Sequence, residues 1–247
     1  MTLISNIDLF GIKLKNISYT EILDSIQQAI QNRKQLTICY ANVNSINYSI
    51  VNDKVKNLYP NFDIVHADGL GVFLGTKILY GKGGLSYRVS GSDLYEKLIN
   101  ICKINNYKIF FFGDRTETLN KIIIKHPQLN VVGTQNGFEF DSTSVISYIN
   151  QNDPDILIVG LGTPKQEEWI VQNKQELKMS LIISVGDGIK VFSGTKKRGP
   201  KFMQIIGLEW LVRLFFEPKR LWKRYFIGIP LFIFRIIKYK FMNLKIG

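Results

Sequence analysis

Asp68 is an acidic residue at a position where a carboxylate could do chemistry. It follows a short apolar run that ends at His66, and two glycines, Gly69 and Gly71, come shortly after it. Glycine has no Cβ, so a substrate could approach the backbone closely at this point. The carboxylate could accept a proton from a hydroxyl nucleophile, or it could cap the helix that follows. Spacing alone does not separate these two roles.

A glycine-rich turn is the second candidate. Residues 160–167 have the sequence GLGTPKQE and follow another apolar run. Such a turn into the start of a helix offers free N–H groups, which favour a phosphate. Its spacing matches neither the GxGxxG dinucleotide motif nor a P-loop. Gln166 could contact a ligand, or it could pair with Thr163 in a capping box that has Pro164 at the first helical position.

Two further pairs of a glycine and an acid follow apolar runs. These are Gly113 with Asp114 and Gly186 with Asp187. In a parallel α/β sheet the carboxyl ends of the strands lie at one edge, and ligands bind beyond that edge. Four such groups after successive strands predict a cleft for a nucleotide.

The sequence favours arginine over a metal ion as the partner of a phosphate. The one Asp-x-Asp motif, residues 153–155, precedes a strand and therefore lies at the wrong end for the cleft. Two cysteines and two histidines form no cluster with the spacing of metal ligands. Arg88, in the segment YRVSGSD at residues 87–93, could balance the charge of a diphosphate.

The elements that must position these residues alternate along the chain. Short apolar runs predict strands covered on both faces. Amphipathic segments between them predict helices, one of which begins with a capping box at Ser18 and Glu21. The alternation predicts an α/β fold with a mostly parallel, Rossmann-like sheet and helices on both faces. The predicted strands are 36–40, 63–66, 107–112, 131–133, 156–159 and 181–185. The predicted helices are 19–32, 44–58, 70–79, 92–105, 117–125, 144–150 and 164–173.

The positive charge is concentrated at the C-terminus. The whole chain has a net charge of +12, and residues 196–247 contain 13 basic and 2 acidic residues. This change in composition predicts an α/β core over residues 1–195 and a basic helical appendage over residues 196–247. Two helices are predicted in the appendage, at 202–216 and 219–235, on either side of Pro218.

Aromatic residues alternate with the basic residues of the appendage. This pattern is typical of a segment that lies at the surface of an anionic membrane. Nucleic acid is the competing partner, but the segment is too apolar for a phosphate-binding arm and no nucleic-acid motif accompanies it. The longest apolar stretch, 226–234, is too short to span a bilayer, and the N-terminus lacks the features of a signal peptide. We therefore expect a cytoplasmic protein that is peripheral on the inner face of the membrane. A second copy of the chain could also cover the apolar appendage in a homo-oligomer.

Six motifs in sequence order resemble those of the WecG/TagA/CpsF glycosyltransferases, also called glycosyltransferase family 26. The strings GLGTPKQE and LEWLVR are the most specific, and the resemblance extends from about residue 9 to residue 224. The motifs are ADG at 67–69, RVSGSD at 88–93, GLGTPKQE at 160–167, RGP at 198–200, GLEWLVR at 207–213 and EPKR at 217–220.

This resemblance implies an enzyme that needs neither a metal nor a cofactor. It would move a hexose of the N-acetylmannosamine type from a UDP-sugar to a polyprenyl-diphosphate-linked saccharide, with inversion, during synthesis of a bacterial cell-surface polysaccharide. A non-catalytic, nucleotide-binding membrane adaptor of such a pathway is the alternative.

The resemblance also implies roles for individual residues. Asp68 would be the general base, and Arg88 and Gln166 would contact the diphosphate or the donor sugar. The appendage would close over the cleft and balance the charge of the leaving group. The expected substrate-binding residues are Tyr40, Asn42, Gly69, Gly113, Asp114, Gly160, Gly162, Lys165, Gly186, Asp187, Arg213, Arg220, Lys223 and Arg224.

Two positions depart from the pattern of the family. Tyr40 stands where the family often has a threonine, two residues before Asn42. Lys190 stands where the family usually has an aspartate. If that aspartate contacts the donor, the choice of donor differs in this chain.

Overall fold

The computed structural model describes residues 5–244 as an eight-stranded sheet with helices on both faces. The strands are β1 Asn6–Leu9, β2 Ile12–Lys15, β3 Leu36–Ala41, β4 Ile64–Ala67, β5 Lys108–Gly113, β6 Asn130–Gln135, β7 Ile156–Gly160 and β8 Leu181–Ser184. The helices are α1 Tyr19–Gln31, α2 Val43–Val51, α3 Asp53–Lys56, α4 Leu70–Tyr80, α5 Gly91–Asn105, α6 Thr116–Lys125, α7 Ser142–Gln151, α8 Lys165–Asn173, α9 Ile189–Phe192, α10 Lys201–Ile205, α11 Glu209–Phe216, α12 Pro218–Trp222 and α13 Gly228–Leu244.

The strand order is β1-β2-β4-β3-β8-β7-β5-β6. All neighbouring strands are parallel except β1 and β2. The predicted α/β class with a mostly parallel sheet is therefore confirmed. The switch point of the sheet lies between β3 and β8. From β3 the chain continues to β4 on one side, whereas β8, β7, β5 and β6 all lie on the other side. Open α/β sheets bind ligands at such a switch point.

The hairpin of β1 and β2 was not among the predicted strands. Each of its strands has only four residues, with apolar and polar positions alternating, and Phe10 and Gly11 form the turn with φ of 56° and 86°. A turn with two positive φ angles suits the twist of a hairpin. The predicted helix 44–58 was also wrong in extent, because Asn52 interrupts it and its side chain caps α3.

The appendage is divided into shorter helices than predicted. Gly207, with φ of 81°, follows the end of α10, and Glu217 separates α11 from α12. A π-helical turn, Lys223–Ile227, then leads into α13. Phe232 and Ile236 of α13 are buried against the same face of the sheet as α2 and α4. The division into two units near residue 195 stays a prediction. No helix of the described chain is both long and apolar enough to cross a membrane.

Candidate active site

Two adjoining cavities lie at the switch point, between the carboxyl ends of β3, β4 and β8 and the appendage. The larger has a volume of about 410 Å³ and the smaller about 50 Å³. Six residues, three from the core and three from the appendage, line both cavities. We call these six residues the polar end of the site. It consists of Asn42, Asp68, Ser92, Lys196, Arg213 and Arg224.

The backbone on both sides fixes Asp68 at the end of β4. Its N–H donates to the carbonyl oxygen of Ala41 over 2.9 Å, and the N–H of Gly69 donates to the carbonyl oxygen of Val89 over 2.9 Å. The Oδ1 of Asp68 accepts a hydrogen bond of 2.8 Å from the N–H of Gly91, at the start of α5. Asp68 therefore does not cap α4, the helix that follows it, and α4 begins after Gly69 without a side-chain cap. In the part of the chain that the structure describes, Oδ2 accepts no hydrogen bond and can face a ligand.

Asp187 holds cationic side chains of the appendage over the core. Its carboxylate forms an ion pair with Arg213 and lies 3.7 Å from Arg220 and 3.1 Å from Lys190. Burial by itself would raise the pKa of Asp187, but Arg213, Lys190 and the other cations lower it below its ordinary value. The carboxylate therefore stays charged, and it positions Arg213 at the polar end of the site.

Lys196 is a further cation of the polar end. Its Nζ donates to the Oγ of Ser92 over 2.9 Å. Burial and, to a smaller extent, the positive charge of Arg213 lower the pKa of Lys196 to about 8. Lys196 was predicted only as part of the basic appendage and not as a binding residue. Its place directly after the last predicted core segment was the only available signal.

Arg88 lines the larger cavity, as expected, but its guanidinium binds the backbone of the appendage. It donates to the carbonyl oxygens of Ile205 over 2.6 Å and of Gln204 over 2.7 Å. These carbonyl groups lie at the C-terminal end of α10, where backbone acceptors lack partners within the helix. Arg88 therefore fastens the appendage over the cavity.

Arg198 makes a second connection between appendage and core. It pairs with Asp93 and Glu96 of α5 and lies 3.4 Å from Glu209 of α11. Glu209 also accepts a hydrogen bond of 3.3 Å from Ser92, and it lines the larger cavity. Neither Arg198 nor Glu209 was predicted as a site residue, although both lie in motifs that carry the resemblance.

Gln166 lies behind the polar end of the site rather than in its wall. The side chain is fully buried, its Oε1 accepts from the N–H of Gly186 over 2.9 Å, and its Nε2 donates to Glu167 over 2.7 Å. The proposed capping box with Thr163 is wrong, because α8 begins after Pro164 with no side-chain cap. Gln166 thus positions the loop that carries Asp187.

Tyr40 and Glu167 complete the layer behind the cavities. Tyr40 lines the smaller cavity, and its hydroxyl lies 3.5 Å from the Oγ1 of Thr163. Burial raises the pKa of Glu167 to about 7, although a hydrogen bond from Gln166 opposes the shift. Burial also raises the pKa of Tyr40, with the nearby charge of Glu167 acting in the same sense.

The other predicted residues lie outside the walls of the two cavities. Gly113 packs against Gly160: a Cβ on Gly113 would lie 2.5 Å from the carbonyl oxygen of Gly160. Asp114 accepts hydrogen bonds from the N–H of Arg115 and the hydroxyl of Thr118. The roles of Gly113 and Asp114 in binding a substrate stay predictions, as do the roles of the other predicted binding residues outside the two cavities. The predicted binding residues outside the cavity walls are Gly113, Asp114, Gly160, Gly162, Lys165, Gly186, Arg220 and Lys223.

The polar end combines one carboxylate that has an open oxygen with three cations, and such a set can deprotonate a hydroxyl and hold a diphosphate. Within residues 5–244 no group of three His, Cys, Asp or Glu side chains is placed to hold a metal ion. The expectation that no metal takes part stays a prediction. Fold and site together define an α/β protein with a cationic cavity at the switch point of its sheet, a place where open α/β enzymes bind their ligands.

The comparison with known families agrees with this class. The model of the glycosyl transferase WecG/TagA/CpsF family matches residues 7–245, so the chain belongs to this family and is a glycosyltransferase. The resemblance found in the six motifs is confirmed.

Curated relatives are similar over nearly the whole length of the chain. The N-acetylglucosaminyldiphosphoundecaprenol N-acetyl-beta-D-mannosaminyltransferase of Staphylococcus aureus strain NCTC 8325 / PS 47 is 27% identical over 242 residues, which cover 96% of this chain and 94% of the relative. The enzymes of the same name from strains COL and MRSA252 match with the same identity and coverage.

Proposed function

We propose that this glycosyltransferase moves an N-acetylmannosamine-type hexose from a UDP-sugar to a polyprenyl-diphosphate-linked N-acetylglucosamine. The reaction would serve the synthesis of a bacterial cell-surface polysaccharide. The observation that carries the proposal is the arrangement of the polar end, in which Asp68 shares its cavities with Lys196, Arg213 and Arg224. The printed name of the Staphylococcus aureus relatives supports the choice of sugar and acceptor.

The proposed reaction is a single displacement at the anomeric carbon of the donor sugar. An acceptor hydroxyl oxygen attacks this carbon while the carboxylate of Asp68 takes the hydroxyl proton. The bond between the anomeric carbon and the diphosphate oxygen breaks, and its electron pair leaves with UDP. Attack from the face opposite the leaving group inverts the anomeric configuration.

The cations of the polar end stabilise the leaving diphosphate in this mechanism. One further negative charge develops on the β-phosphate of UDP as the bond to the anomeric carbon breaks, and cations that are already in place stabilise such developing charge. Arg213 is held in place by Asp187, so its orientation exists before the substrate binds. Arg224 and Lys196 would add two more charges on the same side.

The surface of the appendage supports a peripheral position at the cytoplasmic face of the membrane. Bulky apolar side chains project from it, among them Phe215, which is 82% exposed. Exposed lysines lie between them, and both features favour an anionic lipid surface. The apolar residues are Phe202, Ile205, Ile206, Phe215, Phe216, Trp222, Phe226, Ile227, Phe234, Ile237 and Phe241, and the exposed lysines are Lys197, Lys201, Lys219, Lys223, Lys238 and Lys240.

Transfer of radiolabel tests the proposed function. The full chain is incubated with UDP-[14C]N-acetylmannosamine and undecaprenyl-diphosphate-linked N-acetylglucosamine in vesicles that contain phosphatidylglycerol. We expect label in the lipid fraction and, by NMR, an anomeric configuration opposite to that of the donor. UDP binding without transfer from any UDP-hexose would instead identify a nucleotide-binding adaptor. Retention of configuration would refute the single displacement.

A further inference from the structure

The larger cavity continues from the polar end into an apolar groove between α4 and α13. Beyond Gly71, every residue that α4 and α13 contribute to the cavity wall is apolar. We call this part the α4–α13 groove. Its side chains are Leu74, Ile78, Ile229, Phe232, Ile233 and Ile236.

A close approach of the two helices forms the floor of the groove. A Cβ on Gly75 would lie 2.9 Å from the ring of Phe232 and 3.2 Å from Ile236, so α13 packs against α4 where α4 has no side chain. Phe232 and Ile236 are buried at this contact. Leu74 and Ile233 are 46% and 45% exposed, so the groove is open along its side.

Several contacts hold α13 in this place. The side chain of Asn47 donates to the carbonyl oxygen of Gly228 over 2.7 Å. The guanidinium of Arg235 donates to both the backbone and the side-chain oxygen of Asn47, over 3.0 and 2.9 Å. The ring of Tyr239 packs edge-on against Phe10, with 5.4 Å between the ring centroids. The groove is therefore built into the fold before any ligand binds.

The groove leads away from the catalytic carboxylate. Asp68 stands two residues before α4, and Leu70, Leu74 and Ile78 follow on successive turns of that helix. Eight residues of helix at a rise of 1.5 Å span about 12 Å. A ligand that fills the whole cavity must have a polar, anionic head at one end and a hydrocarbon chain at the other.

We propose that the α4–α13 groove binds the first isoprene units of the polyprenyl chain of the acceptor. This inference rests on the proposed function. A free phospholipid fits less well, because the groove shares one cavity with Asp68 and the three cations. The proposed reaction places there the saccharide diphosphate to which the polyprenyl chain is joined. Ile78 and Ile233 lie where the groove opens, and the exposed Phe234 and Ile237 follow on α13, so the rest of the chain can pass from the groove into a bilayer.

A polar residue in the groove should weaken binding of an acceptor with a full undecaprenyl chain (the long acceptor) but not of an acceptor with a short alkyl chain. In Leu74→Gln an amide replaces a half-exposed leucine, a change that the fold tolerates more easily than one at buried Phe232. The loss of apolar contact should raise the KM for undecaprenyl-diphosphate-linked N-acetylglucosamine about tenfold. The KM for the same head group on a short propyl chain, and the KM for the UDP-sugar, should change less than twofold. The matched control is Ile104→Gln, which changes an 81% exposed residue of α5 outside the cavity.

Direct binding separates failure of the groove from failure of the proposed function. Calorimetry in detergent micelles measures the affinity of each variant for the two acceptors without turnover. Tenfold weaker binding of the long acceptor to Leu74→Gln supports the groove, even if the wild type proves to transfer no sugar. Equal affinities of Leu74→Gln and Ile104→Gln for the long acceptor would overturn the inference. If Leu74→Gln lost binding to vesicles and its affinities for both acceptors fell equally, the groove would be a bilayer anchor. That result would also overturn the inference.

Discussion

The carboxyl edge of the sheet has two parts that look alike in sequence but differ in structure. The switch-point edge comprises the ends of β3, β4 and β8, and the outer edge comprises the ends of β5 and β7. Each part has glycines and an acid directly after its strands. At the switch-point edge Asp68 and Asp187 face cavities that the appendage covers. At the outer edge Gly113 and Gly160 pack against each other, with no room for a side chain between them.

A glycine at a strand end thus indicates that other atoms approach the backbone closely, but not whether these atoms belong to a ligand or to a neighbouring strand. At Gly69 the position of a Cβ is empty within 4 Å, so a ligand can come close. At Gly113 the backbone of the neighbouring strand fills that position. A ligand site also needs charged partners, and the appendage supplies Arg213 and Lys196 to the cavities at the switch-point edge.

Removal of Arg213 should cause a large loss of activity. Arg213→Ala takes away a fixed cation beside the proposed position of the leaving group and leaves Asp187 without its closest partner. Loss of such a group typically lowers kcat about 100- to 1,000-fold, which initial rates of sugar transfer would measure. Lys219→Ala removes an exposed charge of the same appendage and should stay within threefold of the wild type. Equal losses in the two variants would mean that only the net charge of the appendage matters.

Gly113→Ala should damage stability rather than chemistry. Gly113 has φ of 140°, and a Cβ there would lie 2.5 Å from backbone atoms of Gly160. Strain and overlap together should lower the free energy of unfolding by about 2–3 kcal/mol, as measured by urea titration. Gly69→Ala also has a positive φ but meets no neighbouring atom, so its stability loss should be smaller and its activity loss larger. The opposite ranking would show that Gly69 is the packed position and Gly113 the open one.

The pH dependence should report on Lys196. Because burial lowers its pKa to about 8, the lysine loses its proton, and its use as a cation, as the pH rises through that value. We expect kcat/KM to fall above about pH 8, and Lys196→Arg, which keeps its charge, should extend activity to higher pH. Between pH 8 and the ordinary lysine pKa the unfolded chain binds more protons, so this group makes stability rise with pH in that window. An alkaline limb that is the same in Lys196→Arg would exclude the lysine as its cause.

Most of the sheet could be predicted from the sequence because five strands, β3, β4, β5, β7 and β8, are short and mainly apolar runs between helices. The hairpin of β1 and β2 could not, since four alternating residues are a weak signal and only the turn at Phe10 and Gly11 marks it.

The site was predictable in part. The motifs identified Asp68 and Arg213, and the structure brings both to the polar end. Gln166 was predicted to contact the diphosphate or the donor sugar, and Gly160 to bind substrate, but neither residue lines either of the two cavities described. The order of the strands along the chain does not determine which strands are neighbours in the sheet. The sequence therefore could not show that the ends of β5 and β7 lie outside the cavities that the appendage covers.

The comparison of two aspartates tests this account most directly. Asp68→Asn and Asp114→Asn each replace a strand-end carboxylate that accepts a backbone hydrogen bond, one at the switch-point edge and one at the outer edge. Rates of transfer from the UDP-sugar to the lipid-linked acceptor should fall about 100- to 10,000-fold in Asp68→Asn, as expected for loss of a general base. Asp114→Asn should stay within threefold of the wild type. Equal losses, or a larger loss in Asp114→Asn, would contradict the assignment of the chemistry to the switch-point edge.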